Sequence, residues 1–292
     1  MAELLRLNPA PVWLLIHEES QKSAVLAEDI ALFHAASPVP AKPEILTFPE
    51  AQTGELREAF HAASDRLAVL SKLRGLRSVA SRAPTPLLQE TLLVLTTPAA
   101  LLQPVPPLAD FATRETELVR GETRAFHGLL ELLRTYDYDS EAVCEAPGQY
   151  AVRGGIVDLY PITAHQPYRL DFFGDTLEEI RALDPVTQRS GESVGRIILT
   201  AAPKLHTSGP AASLLDYLNP AAHAALLEPK ALEELFDTLA GDNSTAFGDR
   251  LAHAATQLFG VGDLDLATRL FDDAGDGETW DTESLSHHRN YP

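Results

Sequence analysis

Three five-residue stretches in the first third of the chain are largely apolar and do not alternate. They are Val12-Trp13-Leu14-Leu15-Ile16, Glu44-Ile45-Leu46-Thr47-Phe48 and Leu92-Leu93-Val94-Leu95-Thr96. A strand without alternation has no solvated face, so such runs belong to a sheet covered on both sides, as parallel sheets are. The segments between them carry helical spacing instead. Ala24, Val25, Ala27, Ile30, Ala31 and Phe33 recur at that period within 19–33, and Leu56, Phe60, Ala63, Leu67 and Leu70 do so within 55–73, with a stop near Gly75. Strand, helix, strand, helix, strand predicts a parallel α/β domain, which we place at 1–112, ending after Pro104-Val105-Pro106-Pro107.

The pattern then changes. A helix is expected over Glu122–Tyr136, followed by strand candidates at Glu141–Glu145, Tyr150–Tyr160, Tyr168–Phe173, Leu177–Leu183 and Arg196–Ala201. Pro147-Gly148, Pro161, Pro167, Gly174-Asp175 and Asp184-Pro185 separate them, which is the chemistry of an antiparallel sheet with short turns. Residues 113–201 thus read as a small α+β module able to fold alone. The remainder, 202–292, reads as mainly helical and acidic, with five basic residues against fifteen acidic ones. Its stretch from Asp263 to Glu283 reads as a solvated loop, and the chain's end at Arg289-Asn290-Tyr291-Pro292 reads as unfinished. The expected fold class is α/β and α+β multidomain: a parallel α/β domain, a small α+β domain with an antiparallel sheet, and a mainly helical third segment.

Charge narrows the function. Twenty-three Lys and Arg against 42 Asp and Glu leave −19, which disfavours duplex DNA, since phosphate binding needs clustered cations. No apolar run approaches the about 20 residues of a membrane span, and MAELLRLNPAP lacks the basic-then-apolar start of a secretory signal, so a soluble cytoplasmic protein is expected. A parallel α/β domain invites a nucleotide search, but neither G-x-x-x-x-G-K-[ST] nor G-x-G-x-x-G occurs. No cofactor and no ATP hydrolysis by this chain are therefore expected. The single cysteine, Cys144, excludes an internal disulfide and reads as a half-buried strand thiol. Adjacent His287 and His288 lack metal-ligand spacing, and no G-x-S-x-G elbow is present, so no metal site and no catalytic residue are expected.

The sharpest signal lies in Tyr168-Arg169-Leu170-Asp171-Phe172-Phe173. With period two, Leu170 and Phe172 share one face while Arg169, Asp171 and Phe173 share the other. Aromatic plus arginine on a rigid strand is the composition of a binding hot spot. The alternative is that the helix near 122–136 covers this face and Phe173 is a second-side core residue. Nearby, Arg153 precedes Gly154-Gly155, where absent side chains permit a bulge or a close backbone approach. Which of Ile156 and Val157 faces the core stays open, as does whether Arg153 pairs locally with Asp158 or Asp171. A patch of Arg153, Arg169 and Phe173 suits a carboxylate-bearing protein surface, read bidentately by guanidinium.

Glu145-Ala146-Pro147-Gly148-Gln149-Tyr150-Ala151-Val152-Arg153-Gly154-Gly155-Ile156-Val157-Asp158-Leu159-Tyr160-Pro161 resembles the signature of the UvrB-like N-terminal module of the bacterial transcription-repair coupling factor family. Pro167-Tyr168-Arg169-Leu170-Asp171-Phe172-Phe173-Gly174-Asp175, then Ile180-Arg181 and Asp184-Pro185-Val186-Thr187-Gln188-Arg189-Ser190, resemble it too. Weaker similarity runs through Ser64-Asp65-Arg66-Leu67, and Trp280–Pro292 also looks like family sequence. The resemblance implies a degenerate helicase-like first domain, a UvrB-interaction domain at 113–201 and a third segment like the helicase's domain 1B. It implies that Arg153, Arg169 and Phe173 contact the repair protein UvrA, with Gly154 and Asp171 beside them. It also places contacts with RNA polymerase and DNA in domains absent from this chain. The family carries an earlier segment, where the vestigial phosphate loop would lie, before the strand at Val12–Ile16.

Two classes of function follow. The first is a non-catalytic module that recruits UvrA in nucleotide excision repair, its binding weakened by Arg169→Ala or Phe173→Ala with the fold intact. The other is the start of an ATP-dependent DNA translocase whose motor lies outside these residues. Direct DNA binding is the weakest reading, given the charge.

Overall fold

The computed structural model describes residues 2–35, 43–52, 56–80, 91–202, 212–218, 220–241 and 244–261. The acidic stretch 263–283, His287, His288 and the run 280–292 lie outside the described residues. The chain begins with α1 (Ala2–Leu7), β1 (Val12–Ile16), α2 (Ser23–Ala35), β2 (Glu44–Phe48), α3 (Leu56–Ala80) and β3 (Leu92–Thr96). Then come α4 (Pro98–Leu102), α5 (Leu108–Ala112), β4 (Glu115–Val119), α6 (Phe126–Thr135), β5 (Asp139–Ser140), β6 (Gln149–Arg153) and β7 (Ile156–Leu159). They are followed by β8 (Tyr168–Phe173), β9 (Thr176–Leu183), β10 (Ser190–Ser193), β11 (Arg196–Thr200), β12 (His223–Leu227), α7 (Pro229–Ala240), α8 (Ser244–Ala254) and β13 (Gln257–Val261). The described residues form two compact units, one drawn from 1–50, 73–104 and 213–261, the other from 51–72 and 105–212.

The first unit is built on a parallel sheet in the order β13-β12-β1-β3-β2. All five residues of β1 and of β3 are buried, as their unbroken apolar runs predict. Trp13 fills the centre, stacked on Phe259 with ring centroids 5.2 Å apart and edge-on to His223 at 5.1 Å. Leu15, Ile30, Leu93, Leu95 and Ala225 close the core around it. β12 and β13 come from the segment read as mainly helical. His223-Ala224-Ala225-Leu226-Leu227 is short and alanine-rich, so its local preference is helical, but pairing with β1 buries Ala224 and Ala225 completely. α3 also departs from expectation: it runs through Gly75 to Ala80. A lone helical glycine costs about 1 kcal/mol without ending a helix.

The second unit holds a six-stranded sheet, β10-β9-β8-β7-β6-β5, antiparallel except for the β5–β6 edge pair. A separate two-stranded ribbon pairs β11 with β4, a strand the sequence pattern did not reveal. α6 starts at Phe126 rather than Glu122 because the residues before it pair with the sheet instead: Leu177 N–H donates to Glu122 O at 3.0 Å, and Thr123 bridges Thr176. The strand expected at Glu141–Glu145 is a loop, with only Asp139–Ser140 extended. Cys144 is therefore a buried loop thiol, its Sγ donating to Gln149 O at 3.3 Å, and burial pushes it up to about 12. Among the described residues no helix is long and apolar enough to cross a membrane.

Two histidines of the first unit make its stability pH-dependent. His17, whose Nε2 lies 3.0 Å from Ser23 Oγ, is buried, and His223 packs against Trp13. Burial lowers the pKa of both, so each takes up its proton at a lower pH in the folded chain than in the unfolded chain, whose imidazoles titrate near about 6.5. Their contribution is complete above that pH and is lost as pH falls towards the folded values. Thermal unfolding followed by circular dichroism should show a midpoint several degrees lower at pH 5.5 than at pH 7.5; an unchanged midpoint would contradict this account.

Candidate functional site

The strands of the second unit present the residues singled out by alternation. Arg153 pairs with Ile156 across the β6–β7 hairpin, so Gly154-Gly155 is a two-residue turn and not a bulge. Gly154 sits at φ +61, a conformation glycine adopts without strain. Gly155 answers the second possibility read from the pair. A Cβ there would lie 2.8 Å from Phe172 O, while Phe172 N–H donates to Gly155 O at 2.9 Å. The turn is thus held against β8 by a backbone approach that only glycine permits.

Register settles the faces. Val157 pairs with Leu170 and Leu170 with Ile180, and all three are fully buried. Ile156 is half-buried on the opposite face. Phe172 meets the Phe126 ring of α6 edge-on at 5.4 Å. The helix therefore covers the Leu170 and Phe172 side, not the side of Arg169, Asp171 and Phe173. Phe173 is 77% exposed, which removes the core alternative for its ring.

The tip that carries Phe173 is pinned. Phe173 pairs with Thr176 around Gly174-Asp175, with Gly174 at φ +60. Asp175 O accepts from Arg124 N–H at 2.6 Å, and its Oδ1 accepts from Phe126 N–H at 3.0 Å. A carboxylate capping a helix start from another element satisfies an orphan N–H and suits the helix dipole. Opposite, a register shift between Asp171 and Phe172 adds one residue to β9, twisting the hairpin locally.

The two arginines differ in state. Arg153 is exposed, and its Nη2 donates to Ala142 O at 3.2 Å in the loop before β6. Arg169 is committed. Its Nε donates to Asp158 Oδ1 at 2.6 Å and its Nη2 to Asp158 Oδ2 at 2.8 Å, while Nη1 reaches Ser190 Oγ at 3.3 Å. The Asp158 side chain is 0% exposed and that of Arg169 19%. The hydrogen bonds and charge of Asp158 raise the Arg169 pKa, so the guanidinium is charged at every working pH. The pairing considered for Arg153 with Asp158 is thus made by Arg169, and one of the two edges with which its guanidinium could read a partner's carboxylate, the Nε–Nη2 edge, already holds one of the chain's own. Asp171 is half-buried between Ile156 and Glu179 on the same face.

Asp158 is the residue that local pattern could not assign. The signal for it is cross-strand: once Gly154-Gly155 is a tight turn, counting along β7 and β8 places Asp158 opposite Arg169. Among the described residues no cluster of three His, Cys, Asp or Glu side chains is arranged to hold a metal ion.

These strands and α6 form a small α+β domain, and residues 116–204 match the family model of the UvrB interaction domain. The chain is also similar to transcription-repair-coupling factors. It is 28% identical to that of Myxococcus xanthus over 193 residues, 66% of this chain and 15% of the relative. It is 28% identical to that of Bacillus subtilis over 116 residues (40% and 10%), and 42% identical to that of Escherichia coli K12 over 67 residues (23% and 6%). The chain thus matches 15% or less of the length of these relatives. The resemblance to the coupling-factor module is borne out by these matches.

The ion pair changes what mutation does here. Removing one member of a buried pair leaves an uncompensated charge. Arg169→Ala, expected from sequence to spare the fold, should lower unfolding stability in urea by about 3 kcal/mol or more. A loss below about 1 kcal/mol, the range of exposed pairs, would contradict the burial described.

Proposed function

We propose that the second unit is a docking module that recruits UvrA during transcription-coupled nucleotide excision repair, with no chemistry of its own. The observation that carries the reading is the Phe173 ring, exposed at the end of a hairpin fixed on one side by Gly155 and on the other by Asp175. An exposed phenylalanine on a mobile loop would lose much of its contact energy to ordering; on a fixed hairpin little is lost. Arg153 stands at the end of β6, beside the neighbouring turn, and makes no ion pair with a carboxylate among the described residues, and Gly154 leaves room for a second backbone to approach. The similarity to coupling factors supports UvrA as the partner, and the net charge of −19 weighs against nucleic acid on the same face. On the same reading, contacts with RNA polymerase and DNA belong to parts of the longer proteins outside the matched residues.

Phe173→Ala and Arg153→Ala should each weaken binding to purified UvrA by about thirtyfold, the scale of a hot-spot truncation, with circular dichroism and thermal midpoint unchanged. Titration by calorimetry checks this. Parental affinity in both variants would mean that the docking face lies elsewhere.

A further inference from the structure

The Asp158 carboxylate sits on the docking side of the sheet, yet no part of its side chain reaches solvent. It cannot touch a partner. It can only act through Arg169, whose Nε and Nη2 it occupies. Two parallel hydrogen bonds fix a guanidinium in plane and in rotation as one bond cannot, and Nη1 to Ser190 Oγ adds a third point. What remains available to an incoming surface is one N–H on each of Nη1 and Nη2, at the outer end of the group, and its flat face.

We propose that Asp158 is a positioning residue of the docking face: it holds Arg169 as a rigid, locally neutral plate beside the exposed Phe173 ring, so that a partner meets a preset surface and not a free cation. This rests on the docking reading above and specifies its chemistry. The partner surface offers an apolar pocket for the ring. Its acceptor for Arg169 meets the outer Nη1–Nη2 end of the group, since Asp158 fills the Nε–Nη2 edge. Its carboxylate, where it has one, pairs with Arg153.

The proposal makes an inverted electrostatic expectation. If Arg169 were simply a cation attracting an acidic partner, Asp158→Asn would remove a competing negative charge and tighten binding. If Asp158 positions Arg169, the same change frees the guanidinium to rotate and loosens binding. Arg169→Lys keeps the charge opposite Asp158 but forfeits the planar fork.

The full chain carrying Asp158→Asn, Arg169→Lys or both is titrated with purified UvrA, with thermal midpoints measured alongside to correct for the folded fraction. Each single variant is expected to weaken binding about tenfold, and the double variant to be no weaker than the weaker single, because both remove one geometry. Asp158→Asn binding as tightly as the parent, or more tightly, overturns the proposal, as do losses that add in the double variant. Should Asp158→Asn fail to fold, Arg169→Lys with parental affinity overturns it alone. Phe173→Ala keeps the two readings apart: weakened binding there with parental Asp158→Asn sinks only the positioning role. Parental binding by both Phe173→Ala and Arg153→Ala sinks the docking face and this proposal together.

Discussion

A carboxylate with no exposed surface must be paired or neutral, and Asp158 is paired. Its two oxygens accept from Nε and Nη2 of Arg169 across one rung of the β7–β8 ladder. Burying the charge is expensive, and the pair repays that cost only if its geometry is held. The surrounding ladder holds it. Val157, Leu170 and Ile180 seal the opposite face on the next rung, so β7, β8 and β9 cannot slip by one residue without exposing that core and burying charge in its place. The ion pair and the apolar triplet thus enforce the same register from opposite sides of the sheet.

Register in turn decides what reaches solvent. With Arg169 facing away from α6, period two sends Phe173 the same way, where nothing in the unit covers it. The two hairpins at this end of the sheet are anchored, one by the close backbone approach at Gly155 and the other by the helix cap from the Asp175 carboxylate. An aromatic ring that stays out in water on such a frame contributes little to folding, and that is the physical ground for the proposal that it serves recognition.

The sequence carried this alternation openly, because a six-residue strand with Leu170 and Phe172 on one parity leaves no other arrangement once one face is buried. It carried β1 and β3 as well, since runs such as Leu92–Leu95 suit only a doubly covered strand. It concealed β12, where alanines favour helix until a neighbouring strand buries them. β4 was hidden for a related reason: Glu115-Thr116-Glu117-Leu118-Val119 has one fully buried residue and depends on β11, far along the chain, for its pairing. The Asp158–Arg169 bond is the same kind of information. Both residues were in view, but which arginine met which acid depended on whether Gly154-Gly155 was a turn or a bulge, and that is decided by the close packing of Phe172 O on Gly155.

The central claim is that one pre-set sheet face, and not the chain's acidic surface at large, grips the partner. Amide chemical-shift mapping of the chain on addition of UvrA tests it most directly. The account predicts shifts concentrated at 153–156 and 171–176, with the Arg169 Nε–H signal already slow to exchange before UvrA is added. Shifts centred on the parallel sheet of the first unit, with the Phe173 hairpin unmoved, would contradict it.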